Sequence, residues 1–144
     1  MGRAVDPFMN DALARLIRDR ARNACEYCKM PEAAEELTFE VDHIIARKHR
    51  GPTVASNLCL SCWHCNLHKG SDISSIDPQT GRLSALSHPR RQRWAKHFRW
   101  QGAVLDGMTA RGRVTILLLR INDPFRISLR ESLLAEGAFP VAPG

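Results

Sequence analysis

Four of the five cysteines in this 144-residue chain form two Cys-x-x-Cys pairs, a spacing typical of metal ligands. Two residues between thiolates let both sulfurs turn onto one tetrahedral ion, so Cys25/Cys28 and Cys62/Cys65 can complete a four-thiolate shell. The pairs are separated by 33 residues, more than the about 15–20 of common zinc modules, so the loop between them should carry structure of its own. The sequence therefore predicts a structural zinc site, with a redox dithiol or ordinary buried cysteines as the alternatives. The fifth cysteine, Cys59, is either a competing ligand or, as we expect, a core residue of a short strand.

A second set of chemically capable residues lies in this loop and directly after it: Asp42-His43, Asn57 and Asn66. A neutral imidazole, with an ordinary pKa of about 6.5, can accept a proton at physiological pH. Carboxylate and amide oxygens suit a hard cation such as Mg2+. In a regular strand Asp42 and His43 point to opposite faces, so we expect a bend or bulge if both serve one centre.

The sequence resembles the HNH endonuclease family in an ordered set of motifs: Val41-Asp42-His43-Ile44-Ile45, Ser56-Asn57-Leu58 and Cys62-x-x-Cys65-Asn66-x-x-Lys69-Gly70. It is similar to the subgroup in which two Cys-x-x-Cys pairs hold zinc around a ββα-metal (His-Me finger) core. The resemblance covers about 46 residues, from Cys25 to Gly70. It implies a metal-dependent endonuclease that nicks or cuts DNA.

The same resemblance implies a role for each residue. His43 would be the general base that activates water, while Asp42 and Asn66 would hold the catalytic divalent ion, Mg2+ with Mn2+ as an alternative. Asn57 would fix the loop and so the orientation of His43. Two further histidines, His64 and His68, remain open as ligands, phosphate contacts or locally bonded side chains.

Charge is distributed unevenly along the chain, whose formal net charge is +6. The stretch 25–70 carries −1 and the stretch 71–144 carries +5, so we expect much of the affinity for a polyanion to come from the C-terminal part. A solvated basic face is the alternative. Trp94 and Phe98, spaced i, i+4, are expected in the core instead of stacking on bases. The predicted nucleic-acid contacts are Arg47, Lys48, Arg50, Lys69, Arg90, Arg91 and Arg93.

Hydrophobic periodicity indicates an N-terminal helix and a C-terminal helical extension. Together with the ββα-metal core that the resemblance implies, these elements predict an α+β fold. The expected helices are 11–24 with Asn10 as N-cap, 66–70, 90–100, 109–121 with Thr109 as N-cap, and one from Pro124 to near Gly137. The expected strands are 37–42 and 56–60, with two more joined by the turn at 77–81.

We expect one domain over 1–144, divided into the helix at 1–24, the core at 25–70 and the basic extension at 71–144. No apolar run approaches the about 18 residues of a membrane span, and no signal peptide is visible. An intracellular, cytoplasmic protein is therefore expected. The resemblance further implies a bacterial or phage-like context and double-stranded DNA as partner, with a homodimer as one candidate state. A noncatalytic zinc-dependent nucleic-acid binding module and a thiol-disulfide oxidoreductase are the rival functions.

Overall fold

The computed structural model describes residues 8–140, so the outer limits of the expected domain, 1 and 144, lie outside the described residues. Within that range there are five helices: α1 Asp11–Ala21, α2 Trp63–Lys69, α3 Trp94–His97, α4 Ala110–Leu118 and α5 Pro124–Ala135. Six strands form three separate antiparallel pairs: β1 Glu40–His43 with β2 Leu58–Ser61, β3 Ser74–Ile76 with β4 Leu83–Ala85, and β5 Phe98–Gln101 with β6 Val104–Gly107. This is the expected mixture of helices and small sheets.

Helix α1 begins as predicted, because the side chain of Asn10 accepts a hydrogen bond from the backbone N–H of Leu13. This contact satisfies one of the amide donors left open at a helix start. The helix ends at Ala21, three residues earlier than predicted, since Arg22 adopts a left-handed conformation (φ 57°). One apolar face of α1 is anchored by Ile17, which is fully buried.

The ββα core consists of the β1–β2 hairpin and helix α2, which packs against β1. Every residue of β2 is buried, so this short strand forms the floor of the core. The register of β1 is unbroken, with Asp42 opposite Cys59 and His43 opposite Leu58. Of the two expected alternatives, a bend or a bulge, the bend is present: the register of β1 has no bulge, and the chain bends immediately after His43, at residues 44–45.

The part that follows the core contains more strand than expected. The predicted hairpin around the turn at 77–81 is present as β3 and β4. The predicted helix over 90–100 is wrong, because only one turn, α3, forms before the chain enters β5. Gly102, with a φ of +60°, closes a tight turn that pairs Phe98 with Gly107 and Gln101 with Val104.

The last two helices follow the prediction closely. Thr109 caps α4 by accepting a hydrogen bond from Gly112 N–H, and Pro124 occupies the first turn of α5. One hydrophobic cluster joins these helices to α1 and the ββα core; its members include Ile17, Leu60, Phe98, Val114 and Leu133. Among the described residues, no helix has the length and apolar character required to cross a membrane.

Candidate metal and catalytic centres

The four paired cysteines come together as one buried cluster. Their sulfurs all lie within 4.8 Å of one another, and the Sγ atoms of Cys28 and Cys62 are 3.7 Å apart. A tetrahedral zinc site with Zn–S bonds of about 2.3 Å has sulfurs separated by about 3.8 Å. The donor set and its spacing therefore fit a structural zinc ion, in agreement with the motif.

Each pair is shaped by a local backbone turn. In the first, Lys29 adopts a positive φ of 63° and donates its N–H to the carbonyl of Cys25 at 2.8 Å. In the second, Cys62 is the N-cap of α2, and its sulfur accepts a hydrogen bond from Cys65 N–H at 3.4 Å. These turns direct the four sulfurs toward one another.

Two residues outside the motif complete the surroundings of this cluster. Arg126, from α5, is 2% exposed; it donates from Nη2 to the sulfur of Cys62 at 3.5 Å and forms an ion pair with the buried carboxylate of Glu35. A guanidinium beside a thiolate stabilises its negative charge. The sequence analysis did not identify Arg126, because nothing in its spacing connects it to cysteines 64 residues away.

Cys59 is separate from the cluster, as expected. It lies in β2, is fully buried, and burial raises the pKa of its thiol to about 12. At physiological pH it is a neutral core residue.

The long loop between the pairs is closed by Asn57. Its side-chain oxygen accepts a hydrogen bond from Ile45 N–H at 2.9 Å, and its side-chain nitrogen donates to the carbonyls of Ile45 at 3.0 Å and Pro52 at 2.9 Å. The backbone carbonyl of Asn57 accepts a further hydrogen bond from Ile44 N–H at 2.8 Å. Asn57 thus joins the end of β1 to the beginning of β2.

His43 is held by this same loop. Its Nε2 atom lies 2.8 Å from the hydroxyl oxygen of Thr53, and the side chain is half-buried. Gly51 makes the loop compact, since a Cβ at this position would collide with the carbonyl of Ile45 and approach Nδ2 of Asn57 to 2.8 Å. The sequence analysis missed both Thr53 and Gly51; a short Gly-Pro-Thr turn after the His-bearing strand was the available signal.

Asp42 and Asn66 come from elements that pack together, β1 and α2, and are 7% and 8% exposed. Lys69, one turn after Asn66, is 2% exposed, and its Nζ has no hydrogen-bond partner among the described residues. Burial lowers the pKa of Lys69, and the negative charge of Asp42 opposes this effect. One carboxylate and one amide oxygen, both shielded, suit a hard divalent cation that retains water.

A small cavity of about 30 Å3 adjoins this region, and its lining includes Ile44, Lys69, Ser87 and His88. The Nε2 atom of His88 is buried without a hydrogen-bond partner among the described residues. The C-terminal part of the chain therefore contributes a histidine to the neighbourhood of Lys69. No sequence pattern singled out His88.

The predicted phosphate contacts divide into two groups. Arg47, Lys48 and Arg50 lie in an exposed helical turn, and Arg91 and Arg93 are exposed as well. Arg90 instead forms an ion pair with the buried carboxylate of Glu26, whose other oxygen accepts Leu60 N–H. Arg90 and the buried Lys69 therefore do not belong to the surface set, because their charges are directed into the protein.

The aromatic residues of this stretch pack inward. Trp94 donates its indole N–H to the carbonyl of Tyr27 at 3.0 Å, and Lys29 lies over its ring at 5.2 Å. Phe98 is buried. The prediction that both belong to the core is confirmed.

Comparison with known proteins identifies one relationship. Residues 25–72 match the family model described as HNH endonuclease. The matched segment contains both cysteine pairs, β1, β2 and α2, and it coincides with the motifs from which the resemblance was inferred. No curated protein and no solved structure gave a match to the chain.

Proposed function

Because residues 25–72 carry an HNH endonuclease domain by this match, we propose that the protein is a metal-dependent endonuclease that hydrolyses DNA phosphodiester bonds. The observation that carries the proposal is the position of His43. It lies at the end of β1, within the matched segment, and is oriented by a loop that Asn57 closes. A side chain held in this way is suited to proton transfer, which depends on precise geometry.

His43 acts as the general base in this proposal. When its Nε2–H donates to the hydroxyl of Thr53, the ring presents a lone pair at Nδ1, which takes the proton of the attacking water. Asn57 and Thr53 are positioning residues, since both act through the orientation of His43.

Asp42 and Asn66 would hold the divalent cation, Mg2+ or Mn2+. When bound, the cation supplies positive charge that stabilises the phosphorane and the leaving oxygen. Lys69 lies close enough to Asp42 for their charges to interact, which keeps positive charge beside the carboxylate. Both ligand side chains are shielded from solvent, so few alternative side-chain conformations would compete with the one that binds the cation.

The four-cysteine cluster would hold zinc in a structural role. It connects the segment before β1 to the start of α2, and four protein thiolates leave no open coordination position for chemistry. In a small core, a metal cross-link also supplies stability that buried apolar area alone does not provide.

Double-stranded DNA is the proposed substrate, bound through the exposed basic residues Arg47, Lys48, Arg50, Arg91 and Arg93. Contacts of this kind position a duplex without reading its bases. Each chain would carry one catalytic centre, so cleavage of both strands at one position would use a homodimer, whereas a monomer would nick.

The decisive experiment is cleavage of supercoiled plasmid with Mg2+, with Mn2+ and with EDTA. We expect nicking by the wild type with either metal, no nicking in EDTA, and loss of about three orders of magnitude or more for His43→Ala. His49→Ala is the matched control, because His49 is exposed and its Nε2 lies 3.1 Å from the carbonyl oxygen of Ser71, outside the proposed catalytic residues. Retained DNA binding without turnover in the wild type would identify a noncatalytic binding module instead.

A further inference from the structure

Helix α2 carries a second group of potential ligands that the proposed nuclease does not use. His64 and His68 are four residues apart, so both imidazoles project from the same side of the helix. Asp123 approaches them from the start of α5, and one ligand atom from each of the three residues lies within 4.8 Å of the others. At 100° per residue, Asn66 points to the opposite side of α2, so this group is separate from the candidate catalytic centre.

His64 has a defined tautomer. Its Nε2 atom lies 2.8 Å from the carbonyl oxygen of Arg120, and a carbonyl can only accept, so Nε2 carries the proton. The other nitrogen, Nδ1, therefore has a lone pair. This residue is 1% exposed, and Nδ1 is buried without a hydrogen-bond partner among the described residues. A histidine that donates one N–H to a backbone carbonyl while the other nitrogen awaits a partner is the usual arrangement of a metal ligand.

The other two residues complete the site. The rings of His64 and His68 are 4.5 Å apart between centroids and inclined by 66°, and His68 is only half-buried, which provides a route for solvent. Asp123 is the N-cap residue of α5, yet its side chain makes no capping hydrogen bond. An N-cap aspartate normally accepts from the first turn of its helix, so this carboxylate is available for another role.

Aromatic side chains enclose one side of this group. The ring of Trp63 lies 5.4 Å from that of His64, and the ring of Phe125 lies 5.3 Å away, both edge-on. These rings restrict the access of water to the buried imidazole of His64. The exposed side, at His68, can complete the coordination shell with water.

We propose that His64, His68 and Asp123 form a second metal site, which binds a divalent transition-metal ion of the zinc type. Two imidazoles and one carboxylate are a donor set that such ions prefer, and Mg2+ and Ca2+ do not favour it. The ion joins α2, which carries half of the cysteine cluster, to the start of α5. Its binding does not depend on nuclease activity.

The test measures zinc content after dialysis against buffered Zn2+. We expect about two zinc ions per chain for the wild type, one in the cysteine cluster and one in the new site, and about one for His68→Ala and for Asp123→Asn. His49→Ala is the matched control and should retain two. Both test residues are half-buried, so their replacement should leave the fold intact. The intense thiolate-to-metal absorption of the cobalt-substituted protein checks that the cysteine cluster is unchanged.

A second measurement does not depend on counting ions. Once the cysteine cluster is filled, added Zn2+ should raise the melting temperature of the wild type further, by mass action, and this rise should disappear in His68→Ala. The proposal is overturned if the wild type binds only one zinc, or if both variants still bind two. It is equally overturned if Asp42→Asn, and not His68→Ala, removes the second ion.

Discussion

The Nε2 atom of His43 lies 2.8 Å from the hydroxyl oxygen of Thr53, a residue ten positions further along the chain. The loop that follows β1 therefore returns to the residue from which it departs. Its return is fixed by Asn57, whose amide bonds to both backbone groups of Ile45 and to the carbonyl of Pro52. The proposed general base is thus oriented by a backbone arrangement as much as by its own strand.

Replacing Thr53 by valine should reduce cleavage without weakening DNA binding. Valine is nearly isosteric but cannot form the hydrogen bond with Nε2, so the imidazole loses its orientation. A small misplacement of a catalytic group can cost about 100-fold in rate, and we expect a fall of about 10- to 100-fold in the single-turnover rate, with an unchanged dissociation constant. Thr53→Ser keeps the hydroxyl and should restore most of the rate; equal loss in both variants would contradict a positioning role.

Gly51→Ala should distort the loop itself. The added Cβ would collide with the backbone carbonyl of Ile45 and approach the side chain of Asn57. Overpacking of this kind typically costs about 1–3 kcal/mol in the free energy of unfolding, measurable by urea denaturation, and cleavage should fall with it. Gly102→Ala is the control, because that position has a positive φ but, apart from its chain neighbours, no described residue has an atom within 4 Å of the added Cβ. Its cleavage rate per folded molecule should match the wild type.

The ion pair between Asp77 and Arg113 should make stability depend on acidic pH. Two hydrogen bonds of 2.9 Å from the Arg113 guanidinium hold the pKa of Asp77 well below its usual range. A carboxylate with a lowered pKa in the folded state stabilises the protein above the unfolded pKa of about 3.9, and that contribution is lost as the pH falls below it.

We therefore expect Asp77→Asn to melt at a lower temperature than the wild type at pH 7, and the difference should narrow as the pH falls below about 4. Asp106→Asn is the control, since its pair with Arg99 is exposed and exposed pairs contribute little. If the difference in melting temperature between the wild type and Asp77→Asn stays constant across this pH range, the pair has no such role.

The exposed arginines should govern the salt dependence of DNA binding. Each phosphate contact contributes about 0.9 to the slope of log K against log salt, so Arg91→Ala with Arg93→Ala should reduce that slope by about 2 and weaken binding at low salt. Arg90→Ala should behave differently. It leaves the buried carboxylate of Glu26 without its partner, so the protein should lose stability before it loses affinity.

Removal of metal from the cysteine cluster should unfold the core. Structural zinc contributes about 10–16 kcal/mol of apparent binding free energy in small domains, which is comparable to the whole stability of a typical domain. A strong chelator, or Cys25→Ser, should abolish the near-ultraviolet circular dichroism signal. Cys59→Ala removes the one cysteine outside the cluster and should leave zinc content unchanged. Full retention of structure without zinc would refute a structural role.

Sequence patterns predicted the features whose cause is local. The cap at Asn10, the cap at Thr109 and the start of α5 at Pro124 each depend on residues within one helical turn. The metal-binding role of the cysteine pairs was equally predictable, because two-residue spacing alone directs both sulfurs to one side. Such local patterns do not show when a segment gains more by pairing with residues distant in the sequence than by forming the helix that its own residues favour.

The error over 90–100 shows that competition. Trp94 and Phe98 are spaced as in a helix, and the arginines before and after this pair, with Lys96 between its members, suit the outer face of such a helix. The chain instead forms one helical turn and then pairs Phe98–Gln101 with a strand that begins beyond Gly102. Cross-strand pairing with Val104–Gly107 satisfies the same backbone groups and buries Leu105.

The partners of charged residues were the other feature that the sequence did not predict. Net charge along the sequence indicated a basic C-terminal part, but it could not show which arginines meet a partner inside the protein. Arg90 pairs with Glu26, and Arg130 donates to the carbonyls of Ala103 and Ile121 from a fully buried position. Buried cations of this kind require acceptors that only the folded chain brings together.

Arg126 limits how the proposed catalytic unit could be transferred between proteins. It reaches from the last helix to the sulfur of Cys62 and to Glu35, both of which lie in the segment that matches the family. A fragment that ends at residue 72 would keep every motif residue. It would lose this contact and the packing of α5 against α2. The segment that would have to be transferred as a functional unit therefore includes α5 and is larger than the segment that matches the family.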